Sequence, residues 1–170
     1  MTWAETILSC FRDAGVRLVS YVPDKVLIPL IDGVQQDDAF LPVPATREEE
    51  AIGIVGGAYM GGVRGAVMMQ TSGFGNSINA LASLAVPYQF PVLMVISERG
   101  VLGEFNPVQT LIARTLRPTL DALGVYHVTL AREDEVEFLA MRTMLQCYRT
   151  QAPAALILSP MLTGGKEDVG

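Results

Sequence analysis

The sequence holds one histidine, His127, and two cysteines, Cys10 and Cys147, in 170 residues. A Cys/His metal constellation cannot be assembled from that set. The two cysteines stand far apart, each in an apolar helical pattern, and read as reduced core residues rather than a disulfide framework. Cations are scarce: Lys and Arg total 12 against 18 Asp and Glu, for a net charge of −6. The basic residues are scattered, which excludes nucleic acid as a partner, because phosphate neutralisation needs a clustered cationic footprint. The opening Met1-Thr2-Trp3-Ala4-Glu5 lacks the basic and apolar regions of a signal peptide. Long apolar runs are missing too. The longest, 78–96, is broken by Asn79, Ser83, Pro87, Gln89 and Pro91, so no membrane span is expected. A cytoplasmic enzyme or enzyme subunit is the expectation.

What is present is apolar. Half the residues are hydrophobic and 18% are charged, with a mean hydropathy of +0.35. That excludes a disordered chain, since burial of this much apolar surface offsets ordering entropy. The length suits one domain. Residues 1–163 are read as that domain and 164–170 as a flexible tail. So apolar a surface in a small domain also points to an interface.

Short apolar runs alternate with helical patterns along the whole chain. Helices are expected at Trp3–Ala14 (Thr2 and Glu5 forming a capping box), Asp24–Val34, Glu48–Gly62, Asn76–Val86, Arg114–Leu123 and Arg132–Arg149. Strands are expected at Leu18–Val22, Phe40–Val43, Ala66–Met69, Pro91–Ile96, Val125–Leu130 and Ala154–Leu158. Several of these strands are apolar throughout, as in a parallel sheet covered on both faces. The fold class is therefore α/β: a doubly wound, mostly parallel six-stranded sheet with helices on both faces. Such sheets bind ligands at the carboxyl ends of their strands. This directs attention to Pro23-Asp24-Lys25, to 45–48, to 70–76 and to 97–104.

Two of these segments carry possible chemistry. Gln70-Thr71-Ser72-Gly73-Phe74-Gly75-Asn76 joins a buried strand to a helix, with glycines that permit close ligand approach. It is neither a dinucleotide fingerprint nor a Walker A loop, since the third glycine and the Gly-Lys-Ser/Thr are missing. On spacing alone it reads equally as a strand–helix turn capped by Ser72 or Asn76. Thr46-Arg47-Glu48-Glu49-Glu50 opens the next segment of interest. Thr46 and Glu49 have capping-box spacing, and three carboxylates suit a helix N-terminus. The helix continues without charge until Arg64, which marks it as buried or interfacial. Gly53, Gly56, Gly57, Gly61 and Gly62 weaken it, by about 1 kcal/mol each relative to Ala when exposed. Such a helix is read as one that a neighbour approaches closely, inside the monomer or across a subunit interface.

Glu48 through Tyr59 together with Met69 through Leu81 resembles the pyrimidine-binding (PYR) domain of thiamine-diphosphate-dependent 2-oxoacid decarboxylases. Val22-Pro23-Asp24-x-Val26-Leu27 and Arg99-Gly100-x-x-Gly103-Glu104-x-Asn106-Pro107-x-Gln109 are similar to the same group. Within it the chain is nearest to the sulfopyruvate decarboxylase α-subunit and phosphonopyruvate decarboxylase families. The resemblance spans roughly 5–160 and implies roles by position. Aligning on Gly53 and Gly57 puts Glu48 against N1′ of the cofactor's aminopyrimidine, where a carboxyl group must exchange a proton. Pro23, Gln70, Ser72, Gly73 and Asn76 fall where the family lines the pyrimidine or its adjoining pocket. Asp24, Lys25 and Arg99 are the candidates for substrate, with Lys25 and Arg99 suited to an anionic group. Lys25 and Phe74 depart from many relatives. His127 is read as structural.

The family's other half is a pyrophosphate-binding domain marked by Gly-Asp-Gly, which holds Mg²⁺ and diphosphate. No Gly-Asp-Gly occurs here. The resemblance thus implies an α subunit completed by a β subunit that carries the pyrophosphate-binding domain and Mg²⁺. The hetero-oligomer expected is α2β2 or larger, with Glu48–Gly62 at a subunit interface. The implied reaction is decarboxylation of an anionic 2-oxoacid, 3-sulfopyruvate first, to sulfoacetaldehyde. Phosphonopyruvate or another 2-oxoacid is the near alternative. A non-catalytic flavodoxin-like binding or scaffold module is the distant one.

Overall fold

The computed structural model describes residues 1–165. The chain opens with α1 (Trp3–Asp13), capped as expected. Thr2 Oγ1 accepts from the Glu5 N–H at 3.3 Å and Glu5 Oε2 accepts from the Thr2 N–H at 2.8 Å. Gly15, at φ +72°, turns the chain into β1 (Val16–Tyr21). A single helix was expected from Asp24. Instead a 3₁₀ turn spans Lys25–Leu27, capped by Asp24, and α2 runs Ile28–Gln36. Pro29 explains the division: it lacks an N–H and sits in the first helical turn, where that donor is not needed.

The remaining elements are β2 (Leu41–Pro44), α3 (Glu48–Met60), β3 (Arg64–Gln70), α4 (Thr71–Ala80), β4 (Leu93–Ser97), α5 (Val108–Ala122), β5 (Tyr126–Leu130), α6 (Glu133–Thr150), β6 (Ala154–Leu158) and the short α7 (Pro160–Thr163). A π turn at Leu81–Ala85 prolongs α4. Helix α7 was not foreseen. It is capped by Ser159 and ends at Gly164. Of the expected tail, Gly164 and Gly165 are hydrogen-bonded to Pro160 and Thr163, and 166–170 lie outside the described residues.

All pairings in the six-stranded sheet are parallel, in the order β2-β1-β3-β4-β6-β5. Central strands β4 and β6 are buried along their whole length, which is why they read as unbroken apolar runs. One core lies between the sheet and α1, α2 and α6, and includes Ile7, Phe11, Leu30, Met68 and Met144. The other lies under α3, α4 and α5, and includes Ile52, Val55, Met69, Phe74 and Leu116. Truncating a fully buried residue such as Leu93 to Ala would cost about 2–5 kcal/mol.

Cys10 and Cys147 are free and buried. Burial raises their thiols to about 11 and about 12, so both are inert core residues. His127 lies on edge strand β5, with Nε2 3.0 Å from Asp121 Oδ1. Among the described residues no helix is long and apolar enough to cross a membrane.

Strand β1 leads on one side to β2, and the chain then crosses back to place β3 on its other side. The crevice at the carboxyl ends of β1 and β3 is thus a topological switch point, where sheets of this kind bind ligands. The N-termini of α3 and α4 open beside it.

Candidate active site

Three consecutive carboxylates open α3, and each goes a different way. Glu50 Oε2 accepts from the Thr46 N–H at 2.8 Å, and Glu49 Oε1 accepts from Arg47 Nε at 2.7 Å. The expected box between Thr46 and Glu49 does not form. Arg47 is the N-cap, so Glu50 is the residue at the reach-back position. Glu48 turns inward and is 8% exposed. At the first position of α3 its charge is favoured by the helix dipole.

Glu48 lies against α4. This helix begins at Thr71, immediately after β3, so Ser72, Gly73 and Asn76 are helical and not part of a connecting loop. Neither Ser72 nor Asn76 caps it; the N-cap is Gln70, without a side-chain bond. Gly73 faces Glu48 so closely that a Cβ there would stand 2.4 Å from Oε1 and 2.6 Å from Cγ. Asn76, one turn further on, donates from Nδ2 to Glu48 Oε2 at 3.2 Å. The carboxylate is thus seated on a bare stretch of helix with one oxygen tied by an amide. Gln70 Oε1 is a buried acceptor without a hydrogen-bond partner. Ser72 is half-buried in the first turn of α4, and Pro23 is exposed after β1.

A second cluster forms around Arg99. Its guanidinium donates from Nε to Glu104 Oε2 at 2.9 Å and from Nη2 to Glu104 Oε1 at 3.0 Å. Glu104 also accepts from the Gly100 and Asn106 N–H groups, both at 3.0 Å. Arg99 is the largest cause of a carboxyl pKa lowered to about 2. Arg99 Nη1 lies 4.0 Å from Asp24 Oδ1. Asp24 Oδ2 accepts from Ser97 Oγ at 3.0 Å and from the Val26 N–H at 3.1 Å. Thr71 Oγ1 joins α4 to this cluster, accepting from the Arg99 N–H at 3.0 Å and donating to the Ser97 carbonyl at 3.2 Å. Arg99 and Asp24, both candidates for substrate, are therefore partners in one buried network. A cleft of about 200 Å³ lies over it, lined by Arg99, Leu102, Glu104, Phe105 and Pro160 among others. Lys25 is exposed and lines a separate cleft of about 210 Å³ with Trp3, Pro29 and Thr163.

Residues 1–105 match the family described as thiamine pyrophosphate enzyme, N-terminal TPP binding domain. The chain belongs to that family. Two curated members place it further. The chain is 36% identical to the sulfopyruvate decarboxylase subunit alpha of Methanocaldococcus jannaschii over 91% of this chain and 92% of that one. It is 35% identical to the phosphonopyruvate decarboxylase of Streptomyces viridochromogenes, over 71% of this chain and 31% of the longer relative. Its fold resembles part of a 2-oxoglutarate:ferredoxin oxidoreductase from Magnetococcus marinus, with a TM-score of 0.73 and 13% identity. That match covers 96% of this chain and 29% of the other.

The TPP-binding family implies thiamine diphosphate, and the site suits its aminopyrimidine end. Glu48 offers a buried carboxylate, Gln70 Oε1 is a buried acceptor in need of a donor, and Gly73 leaves the space against Glu48 free of side chain. Among the described residues no group of three or more His, Cys, Asp or Glu is placed to hold a metal ion.

The expected site thus divides. Glu48, Gly73 and Asn76 are joined by direct contact, and Asp24 and Arg99 by an ion-pair network. Lys25 stands on the neighbouring turn. Glu104 and Thr71, which were assigned no role from sequence, organise the second cluster together with Ser97. Glu104 lay in a quoted motif, and its spacing of five from Arg99 was the available signal.

Proposed function

We propose that this chain is the α subunit of a heteromeric thiamine-diphosphate-dependent decarboxylase of an anionic 2-oxoacid. The substrate proposed is 3-sulfopyruvate, giving sulfoacetaldehyde and CO₂. The observation that carries the reading is the Glu48 carboxylate, buried at the head of α3 and held between Gly73 and Asn76. The name of the Methanocaldococcus relative, similar over nearly the full length of both chains, supports the substrate. The Streptomyces relative favours phosphonopyruvate as the second reading. A scaffold module would have no use for a buried carboxylate with a glycine kept clear beside it.

When bound, thiamine diphosphate supplies the nucleophile for the 2-oxo carbon and the electron sink for loss of CO₂. The chain's part is to orient and to move a proton. Glu48 holds and exchanges the proton at N1′ of the pyrimidine. Asn76 fixes the carboxylate through Oε2. Gly73 admits the close approach. Gln70, Ser72 and Pro23 line the ring's surroundings.

A β subunit supplies the pyrophosphate-binding half and Mg²⁺, in an assembly of α2β2 or larger. The exposed side of α3 supports this: a Cβ at Gly53 or Gly57 would meet nothing within 4 Å, and Met60 beside them is 76% exposed. Leu102, Phe105, Val108 and Leu111 add exposed apolar surface near the Arg99 cluster. For the substrate's distal anion, Lys25 and Arg99 are the candidates, and the Arg99 guanidinium also binds Glu104. The test is co-expression with a chain carrying Gly-Asp-Gly, followed by CO₂ release on a panel of 2-oxoacids. Release from sulfopyruvate above phosphonopyruvate and pyruvate supports the reading. No release from any of them rejects it.

A further inference from the structure

Strand β3 gives way to α4 without a connecting loop, and the helix has no side-chain cap. The first turn of a helix leaves backbone donors without intrahelical partners, so its start has to be fixed from outside. Thr71, the first residue of α4, is fully buried. Its Oγ1 donates to the Ser97 carbonyl at 3.2 Å and accepts from the Arg99 N–H at 3.0 Å. One hydroxyl is thereby used in both of its capacities, on two backbone groups that flank Glu98.

The register shows what these two bonds replace. In a parallel ladder, a residue that faces its neighbour donates its N–H to the carbonyl one place before the opposite residue. Its carbonyl accepts from the N–H one place after. The β3–β4 pairing ends at Gln70 opposite Ser97, so the next pair would be Thr71 and Glu98. Met68 turns its carbonyl to β1, where it accepts from the Val22 N–H, and alternate residues of β3 face β4 instead. Had the strand continued, the Thr71 backbone would have bonded the Ser97 carbonyl and the Arg99 N–H. The Thr71 side chain makes that same pair of bonds and leaves the backbone free to begin a helix. This rung joins two parts of the site. Gly73 and Asn76, which seat Glu48, follow on α4. On the other side Ser97 Oγ donates to Asp24, and the Arg99 guanidinium binds Glu104.

We propose that Thr71 is a positioning residue whose hydroxyl fixes the seat of the Glu48 carboxylate relative to the Asp24–Arg99 cluster. The inference rests on the functional reading above, in which Glu48 serves the cofactor and Arg99 is a candidate for the substrate's anion. Thr71→Val keeps the volume and the branching but leaves a buried N–H and a buried carbonyl without this partner. The start of α4 and the segment after β4 are then no longer held to each other. Thr71→Ser keeps the hydroxyl and with it the rung.

The experiment has two arms. The first follows amide hydrogen exchange in the full chain. The Arg99 N–H is expected to be protected in wild type and Thr71→Ser, and to exchange at least tenfold faster in Thr71→Val, with Leu156 in β6 unchanged. The wild-type value decides even if Thr71→Val fails to fold: an Arg99 N–H that exchanges as fast as a solvent-exposed amide overturns the proposal. The second arm measures kcat and KM for a dianionic 2-oxoacid, per folded site, in the assembly with the Gly-Asp-Gly partner. Thr71→Val is expected to lower kcat and raise KM, each at least fivefold, and Thr71→Ser to stay within twofold of wild type on both. A hydroxyl that served only stability would lower the thermal midpoint and leave both constants unchanged, which overturns the positioning role. So does a Thr71→Ser variant as impaired as Thr71→Val. Absence of CO₂ release from the wild-type assembly rejects the functional reading instead, and the exchange pattern tells that failure apart.

Discussion

Glu48 and Gly73 are in such close contact that no side chain fits between them: a Cβ on Gly73 would lie 2.4 Å from Glu48 Oε1. The two residues come from different helices, and the contact fixes where the carboxylate points. Gly73→Ala therefore pushes Glu48 out of its seat. Overpacking of this kind costs about 1–3 kcal/mol. The account expects a fall in thermal midpoint together with at least a tenfold fall in decarboxylase turnover of the assembled enzyme. Gly53→Ala is the control for the thermal midpoint of the chain. A Cβ there meets nothing in this chain, so it leaves the carboxylate in place.

The Arg99–Glu104 pair sets an acid limit. Glu104 has an ordinary carboxyl value of 4.5, lowered to about 2 in the folded chain, chiefly by its hydrogen bonds from Arg99. A depressed folded-state value means stability that is complete above the unfolded value and is lost as pH falls towards the folded one. The contribution is therefore whole at pH 7 and fades between about 4.5 and 2. Glu104→Gln should cost about 1.5–3 kcal/mol at pH 7, the range for hydrogen bonds to charged groups. Urea midpoints of wild type and variant should converge near pH 2. A constant gap across that interval would assign the loss to packing instead.

Much of the fold was legible because the central strands are buried on both faces and read as plain apolar runs. Thr2 and Glu5 announced α1 through their caps. The start of α4 was not legible. Gly73 and Gly75 resemble a loop by propensity, and only tertiary contacts explain glycines inside a helix, Gly73 against Glu48 and Gly75 against Ile112. The expected helix Asp24–Val34 ran through Pro29, which instead stands in the first turn of α2. Glu48 was singled out among three adjacent carboxylates by its alignment on Gly53 and Gly57, but its seat depends on β3 lying beside β1, which no local pattern encodes. Arg99 was read as a ligand for an external anion. The carboxylate nearest to it in the fold is its own Glu104, five residues on in a loop closed at both ends by hydrogen bonds.

Lys25 and Arg99 now predict different phenotypes. Lys25→Met should raise KM for a dianionic 2-oxoacid by one to two orders of magnitude, about 1.4–3 kcal/mol, and change pyruvate little. Arg99→Met should chiefly destabilise the chain, because it leaves Glu104 without its guanidinium in a site 5% exposed. Steady-state KM on both substrates, with a urea titration of each variant, separates the two effects. An unchanged KM in folded Lys25→Met would move the anion pocket to the partner chain.

The central claim is that Glu48 alone among its neighbours moves a proton at the cofactor. The decisive measurement is turnover of the assembled enzyme with Glu48→Gln, beside Glu49→Gln and Glu50→Gln. The amide keeps the shape and can still occupy the seat on Gly73, but it cannot exchange the proton. The account predicts loss of most activity in Glu48→Gln with an unchanged circular dichroism spectrum, and near wild-type rates in the other two. Near wild-type turnover in Glu48→Gln would contradict it.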